Sequence, residues 1–424
     1  MRNLWLMLFL IAVTFSACRN GEQQQPKITG LKLADSISAS KIPFIVLPQS
    51  PNLRWNSKQA ISLSGLPPVK NQGNILSCAS WASAYYLTGY YNRLKKGNSD
   101  YNTSGVLDLD KIFSPLYVHN QVINCTSNCI TCLSSNYDVL NFLSDNGVTT
   151  YKDFNTDSYG EASRCRVIPE ASLRIKAKEQ KLESYGQVFN PYLKLSSDEK
   201  YQLLKNTLLS KIPIVISMSV TDNFKNLNKN NYIWNNYGGA SSAANHAMLC
   251  IGFSDKLNAI QVINSWGTDW GLEGTAWISA NLFDKYLLEG YSVNISPQFL
   301  IPAKDMLKNN YVAQTPGKSI TLTKSDLNIT AAEFITVNEG KYQELNGMSI
   351  TPIKITDTSS IIKIYRRKGN KIEVMKFTSL TINSLFQFIA DKKFYRLKLL
   401  HTNFSQANSK LRAIDIKVEL IDYE

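Results

Sequence analysis

Histidine is scarce in this chain, with three residues in 424, at positions 119, 246 and 401. A general base drawn from histidine therefore has few candidates. Long apolar runs are missing too: the one from Leu4 to Phe15 is about a dozen residues, short of the roughly 20 that a membrane-spanning helix needs. No block of Lys and Arg reads as a nucleic-acid arm, although the formal net charge is +13. The densest basic stretch, Lys363 to Lys371, has the alternation of a solvated hairpin. Nucleic acid is thus set aside as a partner, and the excess charge suits acidic surfaces or glycans. No internal repeat is visible. What is present is ordinary: 44 % hydrophobic and 19 % charged residues exclude disorder and a membrane bundle, and the length is comfortable for two domains.

The amino terminus reads as a targeting segment. Arg2 supplies a positive charge, Leu4 to Phe15 an apolar core, and Phe15-Ser16-Ala17 precede Cys18. Small residues followed directly by Cys resemble the bacterial lipobox, in which the Cys is diacylated and becomes the new amino terminus. Phe15 stands where Leu is commoner. The expectation is an exported lipoprotein anchored to a bacterial membrane through Cys18, facing the periplasm or the cell exterior. The outer membrane is favoured, since Arg19 is not an acidic retention signal. An ordinary cleaved signal with an incidental Cys is the rival. Export makes disulfides the expected state of Cys125, Cys129, Cys132 and Cys165. A zinc site on Cys129-Ile-Thr-Cys132 is the weaker alternative, so no metal is expected. Cys78 and Cys250 are left over.

Composition divides the chain into a signal peptide over 1–18, a polar tether over 19–50, a mixed α/β region over 51–297 and a β-rich region over 298–424. In the third part a helix is expected from Cys78, with Trp81, Ala82, Tyr85 and Tyr86 at helical spacing. Another is expected near Ser197–Ser210, capped by Ser197. Strand patterns fill Ala247 to Ile278. After Pro297 runs such as Ile361–Tyr365 and Ile372–Phe377 alternate apolar with polar residues, and Lys368-Gly-Asn-Lys371 reads as a hairpin turn. That region is expected to be an all-β sandwich.

Cys78 opens an apolar helix, where the positive end of the helix dipole favours a thiolate, the attacking form of cysteine. Gln72, six residues earlier in a Gly-containing loop, has an amide that can join the Cys78 backbone N–H in an oxyanion hole. His246 begins one strand pattern and Asn264 ends the next, a spacing that suits neighbouring antiparallel strands. There the Asn amide can orient the imidazole. Cys250 reads as buried core, His119 and His401 as surface or capping residues, and Trp270 and Trp277 as packing.

Val69-Lys-Asn-Gln72-Gly with Ser77-Cys78, then Asn245-His246-Ala, then Asn264-Ser-Trp266-Gly with Trp270-Gly, resembles the catalytic set of the papain family of cysteine peptidases. The resemblance covers roughly residues 51–297. It implies an α+β papain-like fold of two lobes, one helical and one β-rich, followed here by the sandwich-like domain. It also implies Cys78 as nucleophile, His246 as acid/base, Asn264 as orienter and Gln72 at the oxyanion, with no cofactor. Trp266 would shield the His–Asn bond. Ser134 and Ser135 stand where the family places a Gly-Gly against substrate, and Asn245 and Trp266 complete the expected substrate contacts.

Departures are informative. Ile75 and Leu76 replace a usual Cys-Gly, which removes one common disulfide. Cys132 would then pair locally with Cys129, leaving Cys125–Cys165 as the retained bridge. No long helical prosegment fits between Cys18 and Pro51, so the usual inhibitory segment is expected to be absent. The expected activity is hydrolysis of protein or peptide substrates through a thioester. A non-catalytic surface-binding protein on the same scaffold and a thiol acyl or peptidyl transferase are the alternatives. The domain over 298–424 holds nineteen basic against twelve acidic residues from position 300 on, which favours an anionic glycan or surface as its ligand.

Overall fold

The architecture is seen in a computed structural model, which describes residues 27, 29–47, 59–97, 101–103, 105–123, 128–193, 195–239, 243–301, 303, 318–322, 329–345, 348–368, 371–390 and 393–421. Cys18, Cys125 and the 369–370 turn lie outside the described residues. The helical part starts at Cys78. Every residue from Ser77 to Tyr90 is buried, so this helix is enclosed on all faces. Its turns widen to a π-helix over Trp81–Leu87 before α-helix resumes over Thr88–Lys96. The Thr88 hydroxyl donates to the Ser83 carbonyl inside this widened stretch, and Gly97, at φ +65°, ends the helix.

Shorter helices pack around it, and three of them carry an encoded serine cap. Ser114 accepts from the Tyr117 amide ahead of Pro115–Val122, and Ser135 from the Asp138 amide ahead of Asn136–Asn146. Ser196, one residue before the expected Ser197, caps Ser197–Leu209 in a reciprocal box with Glu199. The reason is that Ser197 is turned toward the Asp284 amide, from which its hydroxyl accepts.

In chain order the strands of the first part are β1 Phe44–Ile45, β2 Ala60–Ser62, β3 Asn102–Thr103, β4 Val106–Leu107, β5 Tyr185–Phe189, β6 Ile214–Val220, β7 Ile233–Trp234, β8 Ala244–Ser254, β9 Ala259–Ile263, β10 Thr275–Ser279, β11 Leu287–Val293 and β12 Leu300–Ile301. β3 and β4 make a separate two-stranded ribbon. The others join in one sheet of order β12-β1-β5-β11-β6-β8-β9-β10-β7, with β2 also on β8. β8 is central and almost wholly buried, as its run of apolar residues on both faces requires. One continuous apolar core links this sheet to the Cys78 helix.

Beyond β12 lie two antiparallel sheets. One orders Lys318–Leu322, Ile329–Asn338, Ala413–Ile421, Lys393–Asn403 and Leu385–Ala390; the other runs Gln343–Leu345, Met348–Ile355, Ser359–Lys368, Lys371–Thr381. A second core of Ile, Leu, Val and aromatic side chains fills the space between them. The whole is α+β.

Three expectations are corrected here. Residues 29–47 are not a free tether: Ser36–Lys41 is helical, and β1 is hydrogen-bonded between β5 and β12. Phe44 and Val46 are buried against Ala303 and Ile361. Lys363 is not solvated; it is buried beside the Tyr365 and Phe377 rings, because its strand position faces the contact with β1. His119 is neither a surface nor a capping residue. It is fully buried, and burial lowers its pKa to about 3.

Candidate active site

Cys78 is the first residue of its helix and is buried. Its thiol lies against the backbone amide of Ala247 on β8, one residue from His246. His246 pairs across the sheet with Met218 of β6 and is completely enclosed. Asn264 follows the last residue of β9, the antiparallel neighbour of β8. Its Oδ1 sits 2.8 Å from His246 Nε2 and also accepts from the Ser265 amide at 2.8 Å. A backbone N–H on that atom identifies it as the amide oxygen, so the histidine proton is on Nε2. Nδ1 is left as a buried acceptor without a partner. Trp266 stacks on the imidazole at 4.4 Å and 25°, and Phe224 and Trp270 pack behind it. This wall keeps water from the His–Asn bond.

Gln72 is buried, and its Nε2 spends one proton on the Ile75 carbonyl at 2.8 Å. Its Oε1 accepts from the Ser265 hydroxyl at 2.6 Å, and its amide donates to the Ser265 carbonyl. The second Nε2 proton is what remains for an incoming oxyanion. Tyr86, on the Cys78 helix, donates to the Asn264 carbonyl at 2.9 Å. Gly274 (φ +82°) lets its loop close on Val69, whose methyl would stand 2.4 Å from any Cβ placed there. The loop bearing Gln72, the helix bearing Cys78 and the strands bearing His246 and Asn264 thus converge.

The cleft is occupied by the chain's own residues 30–34. The Gly30 carbonyl accepts from Cys78 Sγ at 3.5 Å, and the Lys32 amide donates to the Ser134 carbonyl at 3.1 Å. The Ala34 amide donates to Glu289 Oε1 at 2.9 Å. Lys32 forms a parallel bridge with Ser135, so the strap lies along the expected substrate contacts. Asn245 is half-buried beside His246. An inhibitory segment was not expected from the sequence. Among the described residues of this stretch the one helix is Ser36–Lys41, and a short extended segment over 30–34 fills the cleft.

Enclosure also reverses an electrostatic expectation. Burial pushes the Cys78 thiol up to about 11, against the pull of the Ala247, Ala79, Cys78 and Gly30 backbone groups. Burial likewise pulls His246 down to about 4, only partly offset by Asn264. With the strap in place, burial favours the neutral form of both groups.

The disulfide pattern differs as well. Cys129 is bonded to Cys165, with Cα atoms 5.5 Å apart, and not to Cys132. Cys129 points inward toward the turn carrying Cys165, whose amide lies on its sulfur. This also removes Cys165 from the expected bridge to Cys125. Cys132 is disulfide-bonded too. Cys250 is a free, buried core thiol. Sequence reasoning missed Ser265, Tyr86, Gly30 and Glu289. Ser265 lay inside the Asn-Ser-Trp-Gly motif, and a lone acid within the apolar run of β11 was a usable signal. Gly30 carried none.

Residues 50–293, more than half of the chain, match the family described as papain family cysteine protease. Gamete and mating-type specific protein A of Dictyostelium discoideum is 27 % identical over 229 residues, covering 54 % of this chain and 42 % of that protein. Cysteine proteinase 1 of Entamoeba histolytica is 26 % identical over 263 residues, covering 58 % and 67 %. The chain therefore spans less than half the length of the first of these relatives. Among solved structures, xylellain, a cysteine protease from Xylella fastidiosa, aligns at 18 % identity with a TM-score of 0.45, covering 60 % of this chain and 97 % of that one.

Proposed function

We propose a mechanism from one premise: the chain belongs to the papain family of cysteine proteases. The observation that carries the reading is His246, with Nε2 on Asn264 Oδ1 and a buried, unpartnered Nδ1 next to the helix that begins at Cys78. Nδ1 takes the Cys78 proton, and the sulfur attacks a peptide carbonyl carbon. The oxyanion is met by the second Gln72 Nε2 proton and the Cys78 amide. The carbonyl re-forms as the C–N bond breaks, and His246 gives its proton to the departing amine. Water, deprotonated by Nδ1, then hydrolyses the thioester and returns the thiol. Asn264 keeps the imidazole in the tautomer that each step needs.

In the strap-bound state the Gly30 carbonyl holds the thiol, so the enzyme is latent until residues 30–34 withdraw. The Cys129–Cys165 disulfide supports an exported protein, and the lipid anchor at Cys18 remains part of this proposal. A thiol-directed epoxide probe tests the reading directly. Mass spectrometry is expected to find the adduct on Cys78, and Cys78→Ala is expected to abolish cleavage of fluorogenic peptides. Labelling confined to Cys250, or full turnover by Cys78→Ala, overturns it.

A further inference from the structure

Two tyrosines on the Cys78 helix reach the loop that precedes it. The turns that widen over Trp81–Leu87 carry Tyr85 and Tyr86, and both side chains are buried. Neighbouring residues of an α-helix point about 100° apart. A π-turn holds more residues, so adjacent side chains diverge less and two in a row can serve the same neighbour. Here they do so. The Tyr85 hydroxyl donates to the Pro68 carbonyl at 2.7 Å, and the Tyr86 hydroxyl accepts from the Lys70 amide at 3.4 Å. The two rings meet edge to face with centroids 5.0 Å apart. Pro68 and Lys70 belong to the loop that delivers Gln72.

Tyr86 has a second bond, because its own proton goes to the Asn264 carbonyl at 2.9 Å. That carbonyl belongs to the peptide unit whose N–H, on Ser265, holds the Asn264 Oδ1 that meets His246. Ser265 in turn grips Gln72 twice, with its hydroxyl on Gln72 Oε1 and its carbonyl on the Gln72 amide. One phenol oxygen therefore joins three parts: the helix of the nucleophile, the backbone two residues before Gln72, and the peptide that fastens Gln72 from the other side. Burial raises the phenol's pKa well above its ordinary value, so the hydroxyl stays a donor. Tyr90 offers a comparison on the same helix. Its hydroxyl makes a bond of equal length, 2.9 Å, to the Lys211 carbonyl, before the end of β6 remote from His246.

We propose that Tyr86 is a positioning residue for the oxyanion donor: its hydroxyl sets the Gln72 side-chain amide against the backbone N–H of Cys78. The oxyanion must be met by both donors at once, and they come from different segments. Each tetrahedral intermediate, in acylation and in thioester hydrolysis, needs that spacing. Substrate binding and ionisation of the thiol do not. A displacement of about 1 Å at such a site can cost on the order of 100-fold in rate. The inference rests on Cys78 and Gln72 acting as proposed above.

The test is made in the Gly30→Val form of the full-length chain, which crowds the strap out of the cleft. Tyr86→Phe is expected to lower kcat on fluorogenic peptides about tenfold while KM holds within about twofold. Alkylation of Cys78 by iodoacetamide forms no oxyanion, and its rate is expected to hold within about twofold as well. Added to Gln72→Ala, Tyr86→Phe is expected to cost less than about threefold, because the donor it positions is gone. Tyr90→Phe is expected to lower the melting temperature and leave kcat within about twofold. A kcat loss below about threefold for Tyr86→Phe overturns the inference. So does a loss of equal size with and without the Gln72 side chain, one shared in full by alkylation, or one matched by Tyr90→Phe. Should Tyr86→Phe fail to fold, 4-aminophenylalanine in place of Tyr86 keeps a donor for the Asn264 carbonyl but accepts poorly from Lys70. It is expected to lower kcat roughly two- to fivefold at unchanged KM, and an unchanged kcat overturns the inference. If Cys78→Ala cleaves as fast as wild type, it is the nucleophile assignment that fails; Cys78-dependent cleavage that ignores Tyr86→Phe defeats this inference alone.

Discussion

Gly30→Val is the most direct perturbation of the latent state. A Cβ on Gly30 would lie 2.7 Å from Leu133 Cδ2 and 2.9 and 3.1 Å from the two Leu76 methyls, and valine adds two further methyl groups. Both neighbours are flexible leucine ends, so the clash costs about 1–3 kcal/mol, the usual range for overpacking. The strap is held at the cleft by the Lys32–Ser134, Ala34–Glu289 and Tyr192–Ala34 bonds, the weaker Cys78–Gly30 contact and the burial of Leu31. At about 0.5–1.5 kcal/mol for each bond, the clash offsets a substantial part of this hold. The open population should therefore rise roughly 5- to 150-fold, until opening is no longer limiting. Anchorage farther along is untouched: Gln187 Nε2 still holds the Ala39 and Ile42 carbonyls, and β1 stays in the sheet. The assay is the second-order rate of iodoacetamide alkylation of Cys78 at pH 7.5. Burial pushes the closed thiol up to about 11, so little of it is ionised there and wild type should react slowly. The variant should react at least fivefold faster, with turnover of small peptides rising in parallel. A folded Gly30→Val whose alkylation and turnover match wild type would refute the claim that the strap controls the thiol.

Two more predictions follow from the same geometry. Burial lowers His119 to about 3 from an ordinary 6.5, so the unfolded chain binds that proton first and stability falls as pH drops from 6.5 toward 3, by up to on the order of 5 kcal/mol. Urea unfolding at pH 7 and pH 4.5 should show a smaller acid loss for His119→Leu than for wild type; equal losses would remove His119 as a cause. Asn264→Ala should lower kcat/KM about 10- to 100-fold, less than Cys78→Ala or His246→Ala, because it removes an orienting bond and no reacting atom. Equal losses from all three folded variants would contradict that role.

The candidate site was legible where chemistry is carried by contiguous residues. A cysteine opening an apolar helix, a histidine early in one strand and an asparagine ending the next can be read along the chain, as can the serine caps. Contacts between distant segments could not be. Gly30 and Cys78 are 48 residues apart and Ala34 and Glu289 are 255 apart, and the strap, Gly-Leu-Lys-Leu-Ala, is too short for its pattern to name a partner. Four cysteines allow three pairings, and only the inward turn of Cys129 selects Cys165. His119 and Lys363 were misjudged for a related reason. Polar residues default to the surface in a linear reading, and their burial depends on what packs over them.

The anchorage of the strap through β1 has a thermodynamic consequence. Because the segment is covalently joined to a strand inside the sheet, its withdrawal is a unimolecular event. A short tether presents its free end at a local concentration on the order of millimolar, which dilution does not change. Exogenous peptides at micromolar levels meet this built-in competitor on unequal terms, and inhibition should be the same at any enzyme concentration. A polypeptide delivered to the cleft at comparable local density, for instance one immobilised beside the enzyme, would compete on equal terms. The architecture therefore discriminates by how a substrate is presented as well as by its sequence.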